Sequence, residues 1–320
     1  MANYFNDHLD DILKSYEYSI SNGIIDPKIY EFEDKKSKRN YDQIINMIEY
    51  VNPKEFKTTD FNSITKEEMF EIFCIVVEKV FGDYGVSKIK SFIESFQYQD
   101  TNEIFNGVTS KIYDSIKKEF VGVIVAMPKA KVTAIVVTMF HEFTHYLFHE
   151  FDYNFNGKKY YVEILPIFSE KVISSFIEDA LKEKNFTKKI ESTRLECINW
   201  HHNINPKLVD SFINLYTKNN YLKNNIFNEN SLHGWIKSPK GIELKKSYDK
   251  NLKASYGIGY TYASMLYSRY IDDEKSVKDT LKRIYEKDIT IQDALDKYNI
   301  SLRNRVGCSE VTNNIKSIKF

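Results

Sequence analysis

Two histidines four positions apart, with a glutamate directly after the first, carry the chemistry of this chain: His141-Glu142-Phe143-Thr144-His145. On an α-helix, residues i and i+4 lie about 40° apart in azimuth and one turn apart in height. Both imidazoles then point the same way and can share one metal ion. Glu142 falls about 100° round the helix, beside the ion, where it can take a proton from a water that the metal activates. This geometry requires a helix, although the β-branched residues from Val132 to Val137 leave the preceding stretch ambiguous between helix and strand. Apolar neighbours (Ile135, Val136, Met139, Phe140, Phe143, Leu147) surround the polar triple. Burying two histidines and a glutamate is costly unless they have a partner. The competing reading is a pair of hydrogen-bonded core histidines, or a zinc that only stabilises the fold.

A catalytic zinc keeps three protein ligands and an open fourth position. No further histidine follows at the spacing of a three-histidine site, so a downstream carboxylate is expected. Glu163 lies 18 residues after His145, and Glu170 lies 25 after it. A helix is predicted from about Pro166, a residue suited to a first turn, with Ile167, Phe168, Ile173, Ser174 and Ile177 on its inner side. Glu170 falls inside that helix, and a ligand on a packed helix is better held than one on a strand-like approach. Glu170 is therefore the first choice for the third ligand of Zn²⁺, and Glu163 the second. The glycines Gly257 and Gly259, interleaved with tyrosines, read as a loop or helix start where backbone approaches a ligand.

HEFTH followed by PIFSEKVISSFIE resembles the thimet oligopeptidase and oligoendopeptidase F family of zinc peptidases. That family has H-E-F/L-G-H and then a helix whose first glutamate binds zinc, and Glu170 matches it by spacing and phrase. SYGIGYTYASMLYSRY is similar to the family's tyrosine-rich segment, in which tyrosines hydrogen-bond the tetrahedral intermediate. The resemblance implies that role first for Tyr262, next for Tyr256 and third for Tyr260. It covers residues 115–275. Thr144 stands where the family has glycine, and Phe148 stands where it often has a histidine, with His149 following. The family's histidine before the first tyrosine has no counterpart near Asn251, and only the distant His233 is available as a substitute. The resemblance implies a zinc-dependent metallopeptidase that hydrolyses short peptides, with Glu142 as general base. The rival functions are a dedicated protease of one protein substrate and a non-catalytic, zinc-stabilised helical binding protein.

The elements that must position these residues are mostly helices. Helical periodicity covers residues 5–23 and 40–53, ending at Gly23 and Pro53. Thr65 with Glu68 reads as a capping box for a helix that stops before Gly82, and residues 85–99 read as another. EFVGVIVAMP, closed by Pro128, reads as a strand that could offer its backbone to an extended peptide. Asn205 and Pro206 start a helix over residues 207–220, and Ser276 and Thr290 read as caps of two more. The predicted fold is mainly α, with a zincin-like catalytic core and a small β element before the HExxH helix. Residues 1–115 are assigned to an N-terminal helical region and 116–320 to the catalytic region. His201 and His202 are adjacent, so they face apart and make no helical metal pair.

Composition narrows the remaining classes. The 320 residues are 42% hydrophobic and 15% aromatic, enough to fill a core and exclude global disorder. Forty-five basic residues balance 45 acidic ones, which argues against general nucleic-acid binding. The three cysteines, Cys74, Cys197 and Cys308, are odd in number and far apart, so they read as reduced thiols. The opening MANYFNDHLDDILK carries acids where a secretory signal would be apolar. No apolar run reaches the length of a membrane span. The expectation is a cytoplasmic protein whose partner is a peptide substrate, with no nucleic acid or membrane. Nothing in the sequence points to an oligomeric state.

Overall fold

The computed structural model describes residues 31–49, 66–98, 108–114, 119–127, 132–148, 161–181 and 239–318. The helices expected over residues 5–23 and 207–220 lie outside them, as do Thr65, Pro128, His149, Cys197, His201, His202 and His233. The described part is mainly helical. Its order is α1 (Lys35–Glu49), α2 (Lys66–Ser95), β1 (Phe96–Tyr98), β2 (Val108–Asp114), β3 (Glu119–Met127), α3 (Val132–Phe148), α4 (Ile164–Leu181), α5 (Pro239–Asp272), α6 (Glu274–Tyr285), α7 (Ile291–Lys297) and α8 (Arg305–Ile318). Among these helices none is long and apolar enough to cross a membrane.

Helix α2 is two helices joined at Gly82, whose φ of 58° lies in the left-handed region. Glycine takes that conformation at little cost, and the helical periodicity of the sequence breaks at the same residue. The two halves carry Phe73, Phe81 and Phe92 into the core, all buried. Phe73 meets Phe140 and Phe143 of α3 edge-on, with ring centroids 6.0 Å and 5.4 Å apart. That is the favoured arrangement of aromatic quadrupoles. Val136, Met139, Phe140, Phe143 and Leu147 recur at helical spacing, and all are buried. This stripe overrides the strand propensity at the start of α3.

The strands form a three-stranded sheet in the order β1-β3-β2. β2 runs antiparallel to β3 along its length, and β1 pairs parallel with Val125–Met127. The segment read as a place for an added peptide strand, β3, lies in the middle of this order, yet β1 covers only Val125–Met127 on its second side, so among the described strands none pairs with residues 119–124 on that side.

Helix α4 packs between α3 and α5, and α5 also touches α1, α6 and α8. The short carboxy-terminal helices are set by their caps. Thr290 and Asp293 make a full capping box at α7: Asp293 N donates to Thr290 Oγ1 at 3.1 Å and Thr290 N donates to Asp293 Oδ2 at 2.7 Å. At α6 the cap is Asp273, which accepts from Ser276 N at 3.0 Å. Ser276, expected as the cap, is the residue being capped. A carboxylate three residues earlier outcompetes its hydroxyl for the orphan amides.

Candidate metal centre

The two histidines of α3 meet as their spacing requires. His141 Nε2 and His145 Nε2 lie 3.1 Å apart. A carboxylate oxygen closes the triangle, and it comes from Glu163: its Oε2 is 3.4 Å from His141 Nε2 and 3.8 Å from His145 Nε2. All three side chains are buried, each 6% exposed. The point equidistant from the three atoms lies about 2.0 Å from each, and zinc bonds imidazole nitrogen and carboxylate oxygen at about 2.0–2.2 Å. Tetrahedral ligands at that radius sit roughly 3.4 Å from one another, close to the mean of the observed sides. This buried His-His-Glu group could hold a metal ion.

Glu170, the first choice from the sequence, takes a different place. Its Oε1 lies 2.7 Å from His141 Nδ1, on the far side of the ring from the triangle. A carboxylate there fixes the imidazole's rotation and directs Nε2 toward the triangle. The order of the two carboxylates thus changes, and the helix start explains why. Helix α4 begins at Ile164 rather than near Pro166. Ile167 N donates to Glu163 O at 3.1 Å, so Glu163 supplies the helix's first carbonyl and is not on a loose approach. The approach to that start is anchored too. Tyr161 packs its ring against Tyr262, with centroids 5.7 Å apart, and donates its hydroxyl to Gln292 Oε1 at 3.0 Å. Glu170, nearly two turns further on, faces the other edge of His141.

Thr144 occupies the interior of the motif without disturbing it. Its hydroxyl donates to Phe140 O at 2.7 Å and lies 2.8 Å from Ser169 Oγ. Both hydroxyls are fully buried, so this contact registers α3 against α4 one residue from His145 and one from Glu170. Glu142 is 4% exposed and lies next to His141 on the same helix.

The tyrosine segment lies in the middle of α5, a helix of 34 residues. Gly257 and Gly259 are therefore not a loop or a helix start. Each is a place where another element comes too close for a side chain. A Cβ on Gly259 would lie 2.6 Å from Glu163 Cβ, and one on Gly257 would strike the ring of Tyr41. Tyr262 is buried, and its hydroxyl accepts from Leu302 N at 3.2 Å. Tyr260 is buried beneath Lys171, whose Nζ lies 4.5 Å from the ring centroid. Tyr256 is half-buried and packs against the core. The sequence missed Gly259 as a neighbour of the ligands. The available signal was the small-residue row Ser255, Gly259 and Ala263 at i, i+4 and i+8, a helix-packing pattern rather than a turn. No family model, curated protein or solved structure matches this chain.

Proposed function

We propose that the protein is a zinc-dependent metallopeptidase of the glutamate-ligand class, with a zincin-like core and short peptides as substrates. The observation that carries this reading is the triangle of His141 Nε2, His145 Nε2 and Glu163 Oε2 at 3.1, 3.4 and 3.8 Å, with Glu142 buried alongside. The donor set fits zinc: two imidazoles and one carboxylate match its borderline softness, and the spacing matches its bond lengths. When bound, the ion would supply a Lewis acid for the scissile carbonyl and lower the pKa of water.

The chain's own residues do the rest. His141, His145 and Glu163 hold the position, and Glu170 holds His141. Glu142 projects from the same helix as the two histidines, takes the proton of the attacking water at its carboxylate and returns it to the leaving amine. Of the tyrosines suggested by the resemblance to oligopeptidases, Tyr256 suits the oxyanion best. It is half-buried and stands at i−3 from Gly259, the residue that meets Glu163. The Tyr262 hydroxyl accepts from the Leu302 amide, which fixes where that phenol points.

The test compares wild type with Glu142→Gln for bound zinc and for cleavage of a quenched peptide library. Both are expected to bind zinc equally, while cleavage falls about 10²–10⁴-fold in the variant. Tyr256→Phe is expected to lower kcat, with zinc unchanged. A wild-type protein that binds zinc and cleaves nothing, or a Glu142→Gln variant as active as wild type, would overturn the proposal.

A further inference from the structure

We infer that Gly259 is a positioning residue: by presenting no side chain, it lets α5 seat Glu163 against the two imidazoles. The inference rests on Glu163 being a metal ligand. Glycine is a poor choice for the interior of a 34-residue helix, where it forfeits backbone entropy and helix propensity. No positive φ demands it, since among the described residues Gly82 is the one glycine in that region. What demands it is the approach of α4. A Cβ on Gly259 would lie 2.6 Å from Glu163 Cβ, 3.1 Å from the Glu163 carbonyl carbon and 3.1 Å from Ile167 Cδ1. The first two atoms belong to the root of the ligand, not to the free end of a flexible side chain, so they cannot swing aside. Added volume must move either α5 or the carboxylate. Ser255 and Ala263, one turn to either side on the same face, are also small and buried, and α5 packs along α4, so tilting α5 away would open buried contacts. The displacement therefore falls on residue 163. Metal sites tolerate ligand errors of only about 0.2 Å, so a shift that relieves such an overlap takes Oε2 out of bonding range.

Gly257 supplies the matched control. It lies two residues away on the same helix, and its Cβ would strike Tyr41 of α1, with no residue of the triangle among its nearest neighbours. The experiment measures Zn²⁺ affinity of the full chain by competition with a chelating dye, for wild type, Gly259→Ala, Gly257→Ala and Glu163→Ala. The visible absorption of the Co²⁺-loaded proteins is recorded beside it. Gly259→Ala is expected to weaken Zn²⁺ binding about 10–100-fold and to shift the Co²⁺ bands. Gly257→Ala is expected to fold less stably while keeping wild-type affinity and bands. Wild-type affinity in Gly259→Ala, or equal losses in the two glycine variants, overturns the positioning role. Wild-type affinity in Glu163→Ala overturns the ligand assignment itself, and the inference falls with it. If Gly259→Ala does not fold, the same affinity loss is expected of Gly259→Ala combined with Ile167→Val. The second change removes the δ-methyl that crowds the new Cβ and leaves the clash with Glu163 in place.

Discussion

Glu163 and Glu170 are chemically identical, and what separates their roles is which nitrogen of His141 each one faces. Glu163 meets Nε2 at 3.4 Å and also reaches His145. Glu170 meets Nδ1 at 2.7 Å, a position from which, on the proposed reading, it would orient His141 without binding the ion. The two substitutions should therefore differ in degree. Glu163→Ala removes one of three donors and is expected to abolish stoichiometric zinc. Glu170→Gln keeps the side chain's shape and some hydrogen-bonding capacity, so its expected effect is a 10–100-fold weaker affinity with zinc still bound at saturation. Dye competition on the two purified variants checks this. Loss of stoichiometric zinc in Glu170→Gln beside full retention in Glu163→Ala would reverse the roles. The sequence could not decide between them, because both carboxylates lie within reach of α3 and the choice depends on ring orientation.

At the scale of elements, what could be read from the sequence was whatever is set locally. The HExxH spacing fixes the two imidazoles on one helix face by geometry alone. Gly82 marks the break in α2, and the Thr290 capping box marks α7, because each acts within four residues. Misread features depend on a second element. Gly259 looks like a turn until α4 is laid against it, and the Leu302 amide that meets the Tyr262 hydroxyl lies 40 residues further along the chain. Thr144 belongs to the same class: it is a departure from the resembled motif whose purpose shows only against Ser169. Thr144→Val keeps the shape and removes the hydroxyl, leaving Ser169 short of a buried partner, so a loss of about 1–3 kcal/mol is expected. Ser169→Ala should cost a similar amount. The double variant should cost less than the sum of the two, because with both hydroxyls gone nothing is left unsatisfied. Denaturant midpoints of the four proteins give the coupling. Strict additivity would mean that this contact does not register α3 on α4.

At the scale of the whole molecule, the site and the core share one helix and use opposite sides of it. Helix α3 sends Phe140 and Phe143 to Phe73 of α2, while His141 and His145 turn to Glu163 at the head of α4. On the proposed reading the ligands lie on two helices that must already be packed, so an unfolded chain would have no assembled site. Zinc should then stabilise the fold by mass action, by about 2.7 kcal/mol when free zinc is one hundred times its dissociation constant. Unfolding of the full chain with zinc or with a chelator measures that increment, and His145→Ala should lose it. Phe73→Ala separates the two sides of α3. Emptying an aromatic core position is expected to cost about 3–5 kcal/mol, lowering the chelated and zinc-loaded proteins together. Because Phe73 packs on Phe140 and Phe143, away from the imidazoles, the increment from zinc should survive at close to its wild-type size, as it does for sites that share no partner. An increment that vanished with Phe73 would mean that the imidazoles depend on the aromatic core for their placement, and that site and core form one cooperative unit.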